Sequence, residues 1–244
     1  MSSPTHDKRQ NLVQGIFNRI AARYDFLNRV ISFHIDTFWR KRAVQALALR
    51  AAAPLVLDLG TGTGDLALTA AKEIKGGRIV GLDFSLEMLR LAQEKKRRDP
   101  SFGDRTSYIL GSALDPPFKD GAFDAVMTAF VLRNITDLNL FFDCAYRLLR
   151  PGGKLVSLDM FPPTRIPFSF FYSFYFYRLV PWIGAALAQD RGAYQYLSNS
   201  VRTFAPPEAI AELIRQTGFE KIKIQKFLNG AVCLHLGEKP GVTK

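Results

Sequence analysis

The sequence predicts an α/β fold: a mostly parallel sheet that ends in a C-terminal antiparallel hairpin, with additional helices at the N-terminus. Between residues 54 and 160, short apolar runs alternate with segments of helical composition, which is typical of crossover units and of parallel strands buried on both faces. The first fifty residues place apolar side chains at three- and four-residue spacing, as amphipathic helices do. Near the C-terminus, Asn229-Gly230 lies between two strand-like runs and favours a tight hairpin turn.

The predicted elements follow a regular order along the chain. The strands of the parallel sheet are predicted in PLVLDLG, RIVGLDFS, TSYILGSA, FDAVMTAF and KLVSLDMF. The helices between and after them are predicted in DLALTAAKEI, LEMLRLAQEKKRR, LNLFFDCAYRLL and PPEAIAELIRQTG. A turn is expected at RPGGK, directly before the fifth strand, because proline and glycine interrupt regular structure there.

The composition is that of a globular protein, with 244 residues of which 48% are hydrophobic and 23% charged. The N-terminal MSSPTHDKRQNLV has no apolar core of the kind found in secretory signals, so we expect a cytoplasmic protein. The two cysteines match no metal or redox spacing, and we expect both to be buried thiols and no metal to be bound. The net charge of +11 fits attraction to an anionic membrane face or to nucleic acid, and it fits a solvated basic surface equally well.

Three glycines separated by single residues, Gly60, Gly62 and Gly64, follow the first predicted strand in VLDLGTGTGDLA. They lie where a strand passes into a helix at the carboxyl edge of the sheet, and open α/β sheets bind ligands at this edge. The spacing G-x-G-x-G, with Asp58 two residues before it, resembles the first motif of S-adenosylmethionine-dependent methyltransferases. Asp58, the three glycines and Thr63 are therefore the candidates for binding S-adenosylmethionine, and a purely structural turn is the alternative.

An acidic residue at the end of the second predicted strand supports a nucleoside-containing cofactor. Asp83 lies about twenty residues after the glycine loop, a spacing that suits a carboxylate accepting hydrogen bonds from two ribose hydroxyls. Its alternative role is to cap the helix that starts near Ser85. After the third strand, Ser112 and Ala113 lie where the resembled fold contacts adenine, and an ordinary loop is the alternative for both.

Five further segments lie outside the cofactor motif: Tyr24–Trp39, Phe130–Asp137, Tyr146–Leu155, Tyr194–Phe204 and Asn229–Gly237. In this order they closely resemble the ubiquinone/menaquinone biosynthesis C-methyltransferase family, and the resemblance extends from about Val13 to Gly237. It implies a class I, Rossmann-like methyltransferase fold and methyl transfer from S-adenosylmethionine to a ring carbon of a polyprenyl quinol. We expect demethylmenaquinol as the acceptor, and the benzoquinol precursor of ubiquinone is the alternative.

Methylation of a quinol ring carbon needs positive charge beside the hydroxyl that loses its proton, because the phenolate activates the ring. Arg133 follows the fourth predicted strand and is the candidate for supplying that charge; its alternative role is a surface ion pair with Asp137. Asn134 is the candidate for a hydrogen bond to an acceptor oxygen. By resemblance, Tyr24 orients the ring or relays a proton, with core packing as the alternative.

Tyr194, Tyr196 and Arg202 are the candidates for lining the acceptor site, or else they attach their segment to the sheet. No histidine is an obvious general base, because His34 and His235 are more simply explained as structural residues. Water polarised by Arg133 is the expected alternative, and the role of base is left unassigned.

The most unusual segment is IPFSFFYSFYFYRLVPW at residues 166–182. Its arginine and two flanking prolines argue against a membrane span, which needs about twenty apolar residues. Because the implied substrate is a lipid, we expect the segment to cover the acceptor site and to touch the membrane surface, with core packing as the alternative. We therefore expect an N-terminal helical substrate-side cap at residues 1–50 and a methyltransferase domain at 51–244, with an aromatic lid at about 161–204.

Two other classes of function remain open. A methyltransferase-like protein without activity could bind quinones or serve as a scaffold, although the glycine loop, Asp83 and Arg133 argue against this. An RNA methyltransferase would suit the basic charge, but the Asn-Pro-Pro-Tyr and Pro-Cys motifs of base methylation are missing, so no nucleic-acid partner is expected. The expected partner is a polyprenyl quinol, met in transient contact with the inner face of the membrane, and a homodimer is left open.

Overall fold

The computed structural model describes residues 4–99, 101, 105–162 and 191–241. The strands of this described part, β1–β7 in chain order, are Leu55–Leu59, Arg78–Asp83, Thr106–Leu110, Phe123–Ala129, Leu149–Met160, Glu220–Phe227 and Val232–Glu238. Its helices, α1–α7, are Pro4–Ser32, Ile35–Ala46, Asp65–Glu73, Leu86–Arg98, Leu138–Leu148, Arg191–Arg202 and Pro207–Gln216. Short 3₁₀ turns cover Leu132–Asn134 and Leu228–Gly230.

The strands form one sheet in the order β3-β2-β1-β4-β5-β7-β6. β1 pairs in parallel with β2 and β4, and the pairs β2–β3 and β4–β5 are also parallel. β7 is antiparallel to both β5 and β6. The predicted α/β fold with a mostly parallel sheet and a C-terminal antiparallel hairpin is thus confirmed. Because the strand order reverses between β1 and β4, the carboxyl ends of these strands flank the crevice where such sheets bind ligands.

Helices cover both faces of the sheet, which explains why the central strands are apolar along almost their whole length. On one face, α2 and α3 share a core with the central strands, and Trp39 and Leu66 are among its buried side chains. On the other face, α5 and α7 contribute Phe141 and Ile210, which are fully buried. Packing on both faces holds the ends of β1, β2 and β4 in place, and the loops of the site begin there.

The fifth strand begins earlier than predicted. Its pairing with β4 starts at Leu149 and resumes at Lys154 after a register shift. The turn predicted at RPGGK is therefore an irregularity inside β5. Gly152 permits it, because its backbone has a φ of 77° and its N–H donates to the carbonyl of Lys239 over 2.9 Å.

The predicted hairpin joins β6 to β7 at Asn229-Gly230. Phe227 pairs with Val232 across the turn. Asn229 and Gly230 have φ values of 52° and 91°, in the left-handed region that these two residue types enter more readily than others. The chain reverses where the sequence predicted, but four residues separate Phe227 from Val232, so the loop is longer than the two-residue turn that Asn-Gly favours.

The N-terminal helices pack against the rest of the molecule. α1 contacts α4, α2 and α6, and α2 contacts α3 and β5. The division of the chain at residue 50 stays a prediction. The aromatic segment at 166–182, and with it most of the predicted lid, lies outside the described residues. In the part of the chain that is described, no helix is both long enough and apolar enough to cross a membrane.

Candidate active site

The glycine loop connects the end of β1 to the start of α3. It is anchored to β2, because the backbone N–H groups of Gly60 and Thr61 donate to the carbonyl of Leu82 over 2.8 and 2.9 Å. Gly60 has a φ of 74°, and a Cβ atom there would lie 2.7 Å from Cγ2 of Val131. At Gly62, where φ is 53°, a Cβ atom would meet nothing within 4 Å. The loop is therefore packed tightly at its start and open at its centre.

Asp83 lies beside the centre of the loop, as its spacing predicted. One of its carboxylate oxygens accepts the N–H of Gly62 over 2.8 Å, and the other accepts the N–H of Ser85 over 2.9 Å. Asp83 is not the cap of the following helix, which was its alternative role. The cap is Ser85, whose hydroxyl accepts the N–H of Met88 over 3.2 Å. Burial raises the pKa of Asp83, while these backbone hydrogen bonds act in the opposite direction.

A cleft of about 710 Å³, its open mouth included, lies at the carboxyl ends of β1, β2 and β4. A second cavity of about 470 Å³, its open mouth also included, adjoins it, and Asp83, Gly60 and Val131 line both. Of the predicted site residues, the first cavity is lined by Tyr24, Asp58, Gly60, Gly62, Thr63, Asp83 and Asn134. Ser112 and Ala113 line the second. The structure therefore brings most of the predicted residues into one continuous space.

Asp58 is buried at the end of β1, with 1% of its surface exposed. Its Oδ2 accepts the hydroxyl of Thr61 over 2.7 Å, but its Oδ1 is buried without a hydrogen-bond partner in the described residues. Burial raises the pKa of Asp58 to about 7, although the Thr61 hydrogen bond acts against it. An unpartnered carboxylate oxygen on a cleft wall is suited to a positively charged group of a ligand.

Thr63 takes part in a polar cluster that joins the loop to α1 and α4. Its hydroxyl donates to Oδ1 of Asp25 over 2.5 Å and accepts from Nζ of Lys95 over 2.9 Å. Lys95 also pairs with Asp25 and, over 2.5 Å, with Asp65. Thr63 thus lines the cleft while its hydroxyl is engaged in holding α1 against the loop.

Two further contacts hold α1 over the loop after β2. The side chain of Gln14 donates to the carbonyl of Phe84 over 2.7 Å, and Ser85 donates to the side chain of Asn18 over 2.6 Å. Phe17, between them on α1, lines the cleft. The first helix is therefore one wall of the site.

Arg40 of α2 also lines the cleft and was not predicted from the sequence. It is 6% exposed, forms a buried ion pair with Asp36, and has its guanidinium carbon 5.2 Å from the ring centre of Phe130. The available signal was the spacing of an acidic and a basic residue four positions apart. That spacing is common on exposed helices and indicates no site by itself.

Arg133 lies behind the cleft wall and is not among the residues that line it. It is 6% exposed and forms a buried ion pair with Asp159 of β5, not the surface pair with Asp137 that was the alternative. Asp137 instead caps α5, where its carboxylate accepts the N–H of Leu140 over 3.0 Å. Nε of Arg133 is buried without a partner in the described residues.

Tyr24 and Asn134 line the first cavity, and Tyr196 contacts Asn134 without lining either cavity. Oδ1 of Asn134 accepts the hydroxyl of Tyr196 over 3.1 Å, which joins the turn after β4 to α6. The ring of Tyr24 packs edge-to-face against Phe17, with 5.8 Å between ring centres. Burial raises the pKa of Tyr24, and the nearby charge of Arg133 acts in the opposite direction.

The remaining candidates are not part of the cleft. Arg202 is exposed at the end of α6, and the side chain of Tyr194 lies outside the described residues. His235 is fully buried beside the carbonyl of Pro207, at 2.9 Å from its Nε2, and burial lowers its pKa. His34 is exposed at the turn between α1 and α2. Neither histidine lines the two cavities, and their structural role stays a prediction.

Known proteins match the chain over nearly its full length. The model of the ubiE/COQ5 methyltransferase family matches residues 4–239. The demethylmenaquinone methyltransferase of Thermus thermophilus is 41% identical over 225 residues, 92% of this chain and 100% of that protein. The ubiquinone/menaquinone biosynthesis C-methyltransferase UbiE of Pectobacterium carotovorum is 34% identical over 234 residues, 96% of this chain and 92% of that protein.

Solved structures share the fold at low sequence identity. Phosphoethanolamine N-methyltransferase 2 of Haemonchus contortus, in complex with S-adenosyl-L-methionine, has a TM-score of 0.63 and 18% identity, and the match covers 92% of this chain and 60% of that one. A SAM-dependent methyltransferase of Thermotoga maritima has a TM-score of 0.65 and 21% identity, over 93% and 99% of the two chains. These likenesses confirm the methyltransferase fold. From the family model and the relatives above 30% identity, the chain belongs to the ubiE/COQ5 methyltransferase family.

Proposed function

We propose that the protein transfers a methyl group from S-adenosylmethionine to a ring carbon of demethylmenaquinol. The family is one of methyltransferases, and several relatives at 37–41% identity are named demethylmenaquinone methyltransferases. The observation that supports the proposal most is the cleft, which brings the glycine loop and Asp83 together with Tyr24 and Asn134. C-methylation of the benzoquinol precursor of ubiquinone is the second candidate, because other relatives are named for both quinones.

The residues of the cleft fit S-adenosylmethionine. Gly62 has no side chain, so the open space beside it is free for a ligand. Asp83 retains acceptor capacity for ribose hydroxyls, because each carboxylate oxygen can accept more than the one hydrogen bond it has. Ser112 and Ala113 line the adjoining cavity, which we assign to adenine. Bound in this way, the donor supplies an electrophilic methyl group on a positively charged sulfur.

The acceptor must be activated before its ring carbon can react. Its phenolic hydroxyl loses a proton, and electron density moves into the ring. The ring carbon then forms the new bond to the methyl carbon of the donor as the bond from that carbon to the donor sulfur breaks, and its electron pair stays on the sulfur. The hydrogen on that ring carbon then leaves as a proton, the oxygen regains a proton, and the aromatic quinol is restored. The products are the methylated quinol, S-adenosylhomocysteine and one proton.

Tyr24 and Asn134 are placed to contact the acceptor oxygen. Since burial raises the pKa of Tyr24, its hydroxyl stays protonated and can donate a hydrogen bond to a developing phenolate. The amide nitrogen of Asn134 can donate as well, because Tyr196 occupies the oxygen of the same amide. Arg133 does not line the cleft, and we assign it an electrostatic role, in which its positive charge favours the phenolate. We propose that a water molecule near this charge, and not a side chain, accepts the phenolic proton.

The lipid acceptor requires contact with a membrane, and we assign this contact to an apolar patch formed by Phe33, Ile35, Phe38 and Leu228. These side chains are 39–71% exposed, and the ring of Phe38 packs edge-to-face against Phe227, next to Leu228. Ile35 and Phe38 share one face of α2 with the exposed Arg42, at helical spacing. Apolar side chains beside basic ones suit an anionic membrane surface, so we propose a cytoplasmic protein in peripheral contact with the inner face.

The function can be tested with the purified protein and S-adenosylmethionine carrying a labelled methyl group. Label should enter reduced demethylmenaquinone in detergent micelles, and an Asp83→Ala variant, which loses the proposed ribose contact, should transfer little. Preferential labelling of the demethylated benzoquinol would favour the second candidate. A protein that binds the donor and labels neither quinol would contradict the enzymatic proposal.

A further inference from the structure

Buried polar side chains form a row across β5 and β7, on the sheet face that α5 and α7 cover. Ser157 and Asp159 lie two residues apart on β5 and therefore point to the same face. His235 of β7 lies directly opposite Ser157, and Arg133 is joined to Asp159 by their ion pair. Ser157, Asp159 and His235 have no exposed surface, and Arg133 is 6% exposed. The row therefore extends from behind the cleft wall into the interior of the protein.

Each member of this row has a polar side-chain atom without a hydrogen-bond partner among the described residues. The four atoms are Nε of Arg133, Oδ2 of Asp159, Oγ of Ser157 and Nδ1 of His235. Buried polar atoms in folded proteins almost always have a partner, because an unsatisfied one has lost its hydration without a replacement. Four such atoms in one row indicate a partner that they share.

The hydrogen on the His235 ring decides what that partner must offer. Nε2 lies 2.9 Å from the carbonyl oxygen of Pro207, and a carbonyl can only accept, so Nε2 carries the hydrogen and donates it. Burial lowers the pKa of His235 and keeps the ring neutral, which makes Nδ1 an acceptor. The row thus contains two acceptors, Oδ2 of Asp159 and Nδ1 of His235. It also contains a donor at Nε of Arg133 and the hydroxyl of Ser157, which can do both.

Water fits both the chemistry and the spacing of the row. Directly opposite residues of antiparallel strands have Cβ atoms about 4.5–5.5 Å apart, and residues two apart on one strand are separated by about 6–7 Å. One water molecule that hydrogen-bonds to two atoms spans about 5 Å, and it can donate to acceptors and accept from donors. Buried waters typically make about three hydrogen bonds to otherwise unsatisfied groups. A metal ion fits less well, since the described residues contain no group of three side chains that could ligate one.

We propose that the row is an internal hydration site, in which ordered water bridges the hydroxyl of Ser157 to Nδ1 of His235 and to Oδ2 of Asp159. The site is separate from the cleft, since none of its residues lines either cavity, and it does not depend on the proposed function. Burial raises the pKa of Asp159, and a hydrogen bond from water to Oδ2 acts in the opposite direction. The water therefore helps to keep Asp159 ionised, which preserves its ion pair with Arg133.

A crystal structure at a resolution that shows ordered water is the direct test. A water molecule should lie within hydrogen-bonding distance of Oγ of Ser157 and of Nδ1 of His235, about 2.7–3.2 Å from each. A row without water, or one in which a side chain from elsewhere in the chain contacts these atoms, would overturn the proposal.

The stability of the Ser157→Ala variant tests the site in solution. Removing a buried hydroxyl that has no partner relieves an unsatisfied group, whereas removing one that water holds loses a hydrogen bond. We expect the midpoint of urea denaturation to fall by roughly 0.3–1 M. Thr128→Val is the matched control, because this buried hydroxyl on the neighbouring strand β4 donates directly to the carbonyl of Leu59 over 2.8 Å. Its midpoint should fall by a similar amount, and a midpoint of Ser157→Ala that rises or stays unchanged would contradict a bound water.

The tautomer of His235 is an independent measurement. In protein with nitrogen-15-labelled histidine, nuclear magnetic resonance at neutral pH should find the ring hydrogen on Nε2 and none on Nδ1. A hydrogen on Nδ1 would remove the acceptor to which the water is proposed to donate, and the proposed bridge between Ser157 and His235 would be wrong.

Discussion

Thr63 of the glycine loop donates a hydrogen bond to Asp25 of α1, with 2.5 Å between Oγ1 and Oδ1. Lys95 of α4 contacts both of these side chains. This cluster joins the N-terminal helix to the loop after β1 and to the helix after β2. Because Phe17 and Tyr24 of α1 line the cleft, the wall they form depends on these contacts.

Asp25→Ala should loosen α1 and lower stability moderately. The change removes the acceptor of Thr63 and a partner of Lys95, at a site where the Asp25 side chain is 24% exposed. We expect a loss of about 1–2 kcal/mol in the free energy of unfolding and faster hydrogen exchange in α1 than in α5. Urea denaturation and hydrogen–deuterium exchange measure the two effects. Asp120→Ala, which breaks an exposed ion pair with Arg147, is the control. If it lowers the free energy of unfolding as much as Asp25→Ala does, partial burial does not explain the contribution of the cluster around Thr63.

The sheet and the core of the site could be predicted because their signals are local. Asp58 and Asp83 lie near the carboxyl ends of the neighbouring parallel strands β1 and β2, and the glycines follow β1. The carboxyl ends of such strands meet at one edge of the sheet. The partner of Arg133 could not be predicted in the same way. Asp137 was close in sequence, but Asp159 on the adjacent strand β5 is close in space, and only the strand pairing shows this.

Arg40 escaped prediction for a related reason. Its helix packs against α3 and β5, and this tertiary contact is what brings the side chain to the cleft. The spacing of Arg40 four residues after Asp36, which Arg42 does not share, was the available signal, but the same spacing is common on exposed helices. Helix packing over long sequence distances decides which of two nearby basic residues enters the site.

Removing Arg133 and removing Asp159 from their buried ion pair should lower the free energy of unfolding by different amounts. Asp159→Ala leaves a buried guanidinium that cannot lose its charge, and we expect a loss of about 3–5 kcal/mol in the free energy of unfolding. Arg133→Met should cost less, because the pKa of Asp159 is already raised by burial and its carboxyl can become neutral. Urea denaturation at pH 6 and pH 8 would compare them, and the cost of Arg133→Met should be smaller at pH 6.

Variants of the Arg133–Asp159 pair also test whether the charge of Arg133 contributes to catalysis. Arg133→Met/Asp159→Leu replaces both partners with apolar side chains and should recover much of the stability lost by Asp159→Ala. We expect this double variant to bind S-adenosylmethionine as the wild type does and to have a lower kcat with quinol. Equal losses in binding and turnover would indicate that Arg133 is structural.

Asp58 should make both stability and donor binding depend on pH. Burial raises its pKa to about 7, from about 3.9 in the unfolded chain, so the folded chain holds the proton more tightly. The stability from this group is fully present below about pH 4 and is lost as the pH rises through 7, by up to about 4 kcal/mol. Asp58→Asn should remove this part of the pH dependence in urea denaturation. Binding of S-adenosylmethionine should weaken below pH 7 in the wild type, because a positively charged donor is attracted by the ionised carboxylate of a residue that lines the cleft. A flat profile from pH 6 to 8 would contradict an influence of Asp58 on donor binding.

The apolar patch predicts a specific loss of membrane binding. Phe33→Ser/Phe38→Ser removes two side chains that are 71% and 52% exposed. Since full burial of such a side chain contributes about 1.5–3 kcal/mol, we expect partitioning into phosphatidylcholine–phosphatidylglycerol vesicles to fall at least about tenfold. Flotation would measure this, with Leu110→Ser/Leu140→Ser as the control for exposed apolar residues elsewhere. Unchanged flotation of the Phe33/Phe38 variant would exclude the patch as the site of contact.

Two glycines with similar backbones allow strain to be separated from ligand contact. Gly62 and Gly152 have φ values of 53° and 77°, and at both a Cβ atom would meet nothing within 4 Å. Gly62→Ala and Gly152→Ala should therefore each lower the free energy of unfolding by about 1–2 kcal/mol, the cost of a left-handed residue with a side chain. Only Gly62 lines the cleft, so Gly62→Ala should weaken binding of S-adenosylhomocysteine at least about tenfold, while Gly152→Ala leaves the affinity unchanged. If calorimetry finds equal affinities for the two variants, the open space at Gly62 is not where the ligand lies, and the donor must approach the loop from another side.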